Sequence, residues 1–233
     1  MERNGLRLGS FAGAPIILDW TVALLAGYWI LTDVTRGGVS ALPTSVLFVG
    51  AVLAAILAHE VGHAAMAAAL RIPAAVIVLT FFGGYVQFVT PPQKRWHDML
   101  VSAAGPGANL ALGALIAFAV QPHLPALSGG DRAGYLFYYF LAQFVWVNVL
   151  LGLFNLLPGF PLDGGAILRA FLSYFLRAAR ARWIVGWTGL LIATAVAVWG
   201  LMSGQLWTAG IGALLAFSSF AEISAAERTL KAR

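Results

Sequence analysis

Long apolar runs broken by few charges dominate the chain, and their spacing predicts its architecture. Runs at about 20–35, 42–70, 99–120, 135–157, 183–201 and 206–223 approach or exceed the roughly 18 residues that mark a spanning-helix candidate. The first of them is the weakest. The expected fold is therefore an α-helical integral membrane protein, a six-transmembrane-helix bundle. A further apolar stretch, residues 72–92, reads differently. Pro73 near its start, the Gly83-Gly84 pair in its middle and the β-branched and aromatic residues on either side predict two short strands around a turn. This gives a small membrane-associated β segment at about 76–88. A helix there would place Arg71 opposite Lys94 and Arg95 and scramble the charge pattern described below. No internal repeat is visible, and Gly200 and Gly204 stand at a spacing that allows close packing near the turn between the last two helices.

Composition agrees with this pattern. Hydrophobic residues make up 61% and charged residues 10%, with a mean hydropathy of +0.86, values foreign to a water-soluble domain. The 233 residues suffice for about six spans with their connections, so a single membrane-embedded domain over 1–233 is expected. The absence of cysteine excludes disulfides, thiol nucleophiles and thiolate metal sites. The net charge of +5 comes without a dense basic run, which argues against a nucleic-acid partner. Membrane topology explains it better. Alternating the loops between two sides leaves only Arg36 and Arg132 apart from the other basic residues, so both termini are expected on the cytoplasmic side of the plasma or inner membrane. Residues 1–18 show no removable signal peptide.

Within the second run stands His59-Glu60-Val61-Gly62-His63, an HExxH motif. Residues four apart share a helix face, so both imidazoles can reach one Zn2+ while Glu60 lies beside it as a general base. Three ionisable groups in five apolar-flanked positions cost about 2.5 to 3.5 kcal/mol each at a bilayer centre. A metal would compensate for that cost; hydrogen bonding between helices is the plainer alternative.

A catalytic zinc usually has three protein ligands, which calls for another His, Asp or Glu at matching depth. His97, Asp98, His123, Asp131, Asp19, Asp33, Glu222 and Glu227 lie in loops or near span ends. Asp163 belongs to Asn155-Leu156-Leu157-Pro158-Gly159-Phe160-Pro161-Leu162-Asp163-Gly164-Gly165, whose prolines and glycines end the fourth span in apolar surroundings. His63 precedes Arg71 by about 12 Å of helix rise, so in this topology the two motifs share a membrane half. A turn-capping role for Asp163 before a short helix is the other reading.

HEVGH in the second span, Gly105-Pro106-Gly107 opening the third and NLLPGFPLDGG after the fourth resemble the site-2 protease family, the intramembrane zinc metalloproteases of peptidase family M50. The resemblance implies His59, His63 and Asp163 as ligands of one Zn2+ per chain, Glu60 as catalytic acid/base and Asn155 as a catalytic-site contact to the substrate backbone or oxyanion. It also implies that the β segment aligns an extended substrate. Many members carry a PDZ or paired CBS domain; neither is found in this sequence, so a compact form is expected.

The expected function is hydrolysis of peptide bonds in transmembrane or membrane-proximal segments, with a membrane-protein helix bound in extended form as substrate and the lipid bilayer as surroundings. Two alternatives use the same residues: a zinc or proton transporter, and a non-catalytic membrane adaptor. A transporter favours ligands strung along a path and repeated halves, and an adaptor needs no glutamate between the ligands. The motifs leave substrate identity and oligomeric state open.

Overall fold

A computed structural model describes residues 5–121 and 131–232; His123, Arg3 and Arg233 lie outside them. Contacts divide the chain into two compact units, one of residues 1–91 with 104–153, the other of 92–103 with 154–233. The protein is mostly helical, with a small sheet.

The first unit begins with strands β1 (Gly5–Phe11) and β2 (Ala14–Asp19), followed by helices α1 (Val22–Gly37) and α2 (Leu42–Ala69) and strands β3 (Ala74–Thr80) and β4 (Gly83–Phe88). The strands form one sheet in the order β1-β2-β3-β4. β2 runs parallel to β3, with Ile17 opposite Val78, and the outer pairs are antiparallel. The expected β segment is thus a hairpin, and Val76, Ile77, Val78 and Leu79 of its inner strand are all buried. The turn falls at Phe81-Phe82, and Gly83 opens β4 with φ +120°, a conformation few other residues adopt. The N-terminal hairpin was not expected. Leu6 and Leu8 are half exposed, so the apolar residues of β1 do not show the pattern of a half-buried strand. Its partner β2 is held by the side of β3, a long-range pairing that local pattern does not reveal.

Two apolar clusters hold this unit. Ala14, Ala64 and Ile77, with Phe11, Ile16 and Val86 around them, seat the sheet on α2. Ala51, Ala55 and Phe144, with Leu112, Ile116 and Phe140, join α2 to α3 (Arg95–Val120) and α4 (Arg132–Asn155). Alanines on α2 allow the neighbouring helices to approach closely.

The second unit holds the start of α3, the segment after α4, a short helix α5 (Asp163–Leu172), and the pair α6 (Ala178–Met202) and α7 (Leu206–Lys231). Glycines set the spacing of that pair: a Cβ at Gly200 would strike Ala209, one at Gly212 would strike Ala197, and one at Gly186 would strike Ile223. Gly204 has a different use, supplying the left-handed turn at φ +68° with open space around it.

Among the described residues, five helical segments are long and apolar enough to cross a membrane: Val39–Ala69, Arg95–Val120, Arg132–Asn155, Ala178–Met202 and Leu206–Lys231. This makes the chain a multi-pass membrane protein. α1, expected as the weakest span, has 16 residues, about 24 Å of helix, and falls short of the other five.

Candidate metal centre

The HExxH motif lies on α2, where His59, Glu60 and His63 are 6%, 4% and 9% exposed. Helical spacing brings the imidazoles together: their ring centroids are 4.7 Å apart and nearly perpendicular. Two glycines make room for them. A Cβ at Gly62 would come within 2.6 Å of the Ala104 carbonyl oxygen, so only a bare backbone lets α3 pass so near. On α3, a Cβ at Gly105 would collide with Nε2 of His63 and sit 2.9 Å from Nε2 of His59. Both Nε2 atoms therefore border the space beside Gly105.

Behind His59 stands a polar chain that sequence reasoning missed. His59 Nδ1 lies 2.5 Å from Asn109 Oδ1. The Asn109 amide donates to the Ala55 carbonyl at 2.9 Å and to Asn148 Oδ1 at 2.7 Å, and Asn148 donates to the Phe144 carbonyl at 2.7 Å. Both asparagines are completely buried. Polar amides inside long apolar runs were a usable signal, because such groups need partners in hydrocarbon.

Glu60 faces the sheet. A Cβ at Gly84 would lie 2.6 Å from Glu60 Oε1, so β4 passes the carboxylate at a distance only glycine permits. Among the described strands, β4 is also an outer one, paired with β3.

In the other unit, α4 ends at Asn155 and α5 starts at Asp163, as the prolines and glycines between them predict. A Cβ at Gly164 would strike the Leu156 carbonyl, and one at Gly165 the Gly159 carbonyl; the chain doubles back on itself there. α6 and α7 strap it. Thr188 donates to the Pro158 carbonyl at 2.5 Å, Ser219 to the Phe160 carbonyl at 2.7 Å, and the Phe160 amide to the Val185 carbonyl at 3.2 Å.

One ligand atom from each of His59, His63 and Asp163 lies within 4.8 Å of the other two, the one such group among the described residues. The other acids considered have structural partners. Asp98 pairs with Arg169 at 2.7 Å and Glu222 with Arg182 at 2.6 Å. Asp33 accepts from Ser45, Asp131 from the Gly134 amide and Glu227 from Trp183. Asp19 accepts from Thr21, whose hydroxyl and amide hold its carboxyl below the usual carboxylate range. His97 packs edge-on against Trp96. Two imidazoles and one carboxylate make a donor set that suits Zn2+, and the shared orientation of the Nε2 atoms fits a single ion.

A helix-borne HExxH in a multi-pass membrane protein, with an aspartate completing a potential ligand set, defines a class of membrane-embedded metal proteins. This chain belongs to peptidase family M50: the family's profile matches residues 47–129 and 126–198. It is similar to Rip3 of Mycobacterium tuberculosis, 32% identical over 226 residues, covering 90% of this chain and 56% of that one. It is also similar to the zinc metalloprotease MJ0392 of Methanocaldococcus jannaschii, 28% identical over 198 residues, covering 85% of this chain and 54% of the relative. The chain thus spans little more than half the length of these curated relatives. Among solved structures, the site-2 protease from Methanocaldococcus jannaschii superposes with a TM-score of 0.67 at 25% identity, covering 94% of this chain and 95% of that one.

Proposed function

We propose that the protein is an intramembrane zinc metalloprotease that hydrolyses peptide bonds in transmembrane or membrane-proximal segments of other membrane proteins. The observation that carries this reading is the His59-His63-Asp163 group with Glu60 buried beside it. In it, His59 and His63 would hold one Zn2+ together with Asp163. When bound, the ion would supply Lewis acidity to the scissile carbonyl and lower the pKa of a nearby water toward about 7.

The rest is the work of the chain. A helical substrate hides its carbonyls in internal hydrogen bonds, so it must unwind before cleavage. The outer strand β4 accepts an unwound segment as an added strand, and Gly84 leaves Glu60 close to β4. Glu60 takes the proton released by the attacking water and delivers it to the leaving amine nitrogen, so each cleavage consumes one water and yields a carboxylate and an amine. Asn155, at the end of α4, donates from its amide to the substrate carbonyl.

On this reading residues 1–233 form one functional domain. α1 serves as the sixth membrane helix, both termini face the cytoplasm, and the protein resides in the plasma or inner membrane. Support for the topology comes from the placement of basic residues. The test is cleavage of a single-span substrate in detergent by wild type and Glu60→Gln. The variant is expected to lose activity by about 10^2 to 10^4, the usual contribution of a general acid/base, while retaining zinc. Full activity in the variant would refute the assignment.

A further inference from the structure

The amide chain behind His59 has a direction, and that direction bears on which ring nitrogen faces the metal. The Ala55 and Phe144 carbonyl oxygens only accept hydrogen bonds. The atoms facing them must therefore be the NH2 groups of Asn109 and Asn148. Both hydrogens of Asn109 are then used, one on Ala55 and one on Asn148 Oδ1. Its Oδ1, pointing at His59 Nδ1, can only accept. His59 must donate from Nδ1, and in the neutral ring Nε2 then carries the lone pair.

We propose that Asn109, oriented by the Ala55 carbonyl and Asn148, is a positioning residue that fixes His59 in the Nδ1–H tautomer and so aims Nε2 as a metal donor. The role rests on the metal reading above and extends it to three residues on α2, α3 and α4. Complete burial of both asparagines denies them water as an alternative partner, which makes the orientation persistent. Partners of this kind typically matter to metal affinity by about 10- to 100-fold.

The test uses the full chain in micelles, metal-free, with 15N-labelled histidine and long-range 1H–15N correlation, which distinguishes the two tautomers. The His59 signal is assigned by its loss in His59→Gln. Wild type should show His59 protonated at Nδ1. Asn109→Ala should lose that preference and bind Zn2+ and Co2+ about 10- to 100-fold more weakly. Asn109→Asp, which keeps an acceptor oxygen facing the ring but loses the two donated bonds, should restore the Nδ1–H preference. Should Asn109→Ala fail to fold, Asn148→Ala serves in its place: it leaves Oδ1 of Asn109 available and is expected to weaken metal binding by a smaller factor. An Nε2–H tautomer in wild type, or unchanged tautomer and affinity in Asn109→Ala, would overturn the proposal. A wild type with the Nδ1–H tautomer that takes up neither metal would instead overturn the metal reading on which it rests.

Discussion

The two regions that supply the potential ligands are built in opposite ways. His59 and His63 sit on one face of an uninterrupted helix, four residues apart, and regular backbone geometry alone brings their rings to 4.7 Å. Asp163 follows a stretch that is almost entirely irregular, shaped by glycines that let backbone touch backbone and tied by hydrogen bonds from α6 and α7. The helix needs tertiary structure only to make room for its ligands. The Asp163 segment needs it to have a shape at all. A change near the histidines should therefore act on the metal and spare the fold, whereas a change behind Asp163 should act on the fold first.

The largest expected effect is that of Asp163→Ala, which removes one ligand outright. Zinc affinity should fall by more than about 100-fold, beyond what the loss of a supporting residue costs, with thermal stability of the metal-free protein little altered. Equilibrium dialysis against competing chelators measures the first and a thermal melt the second. Gly105→Ala comes next: its methyl group would press on both imidazoles, so affinity should drop by about 10-fold or more while the metal-free protein stays folded.

Gly189→Ala reverses that pattern. Its Cβ would strike the Phe160 backbone, and overpacking of this kind costs about 1 to 3 kcal/mol, visible as a lower melting temperature before any metal is added. The smallest effect belongs to Ser219→Ala, which removes the bond to the Phe160 carbonyl at a cost of about 1 kcal/mol. If Gly105→Ala unfolded the protein while Gly189→Ala affected metal binding alone, the contrast between the two regions would not hold.

The same contrast decides what could be read from the residues. HExxH was legible because its meaning depends only on helical spacing, and the β3–β4 hairpin because Gly83 and the β-branched residues of 76–79 signal locally. Asp163 emerged through the depth that topology assigns to a broken span. β1 and β2 stayed hidden because the half-exposed Leu6 and Leu8 show no buried face and because β2 depends on a partner far along the chain. Asn109 and Asn148 escaped for a related reason. Each is a single polar residue in an apolar run, and only the packing of three helices makes them consecutive links. The helix ends also moved: α3, α6 and α7 run past their apolar stretches into charged residues, Arg95, Arg180 and Lys231 among them, because a helix continues beyond the hydrocarbon as long as its backbone bonds are met.

Anomalous diffraction from crystals of the zinc-loaded protein tests the central claim most directly. One peak per chain is predicted, about 2.0 to 2.2 Å from Nε2 of His59, Nε2 of His63 and a carboxylate oxygen of Asp163. A peak bound to other residues, or one that the Asp163 carboxylate does not reach, would contradict the account.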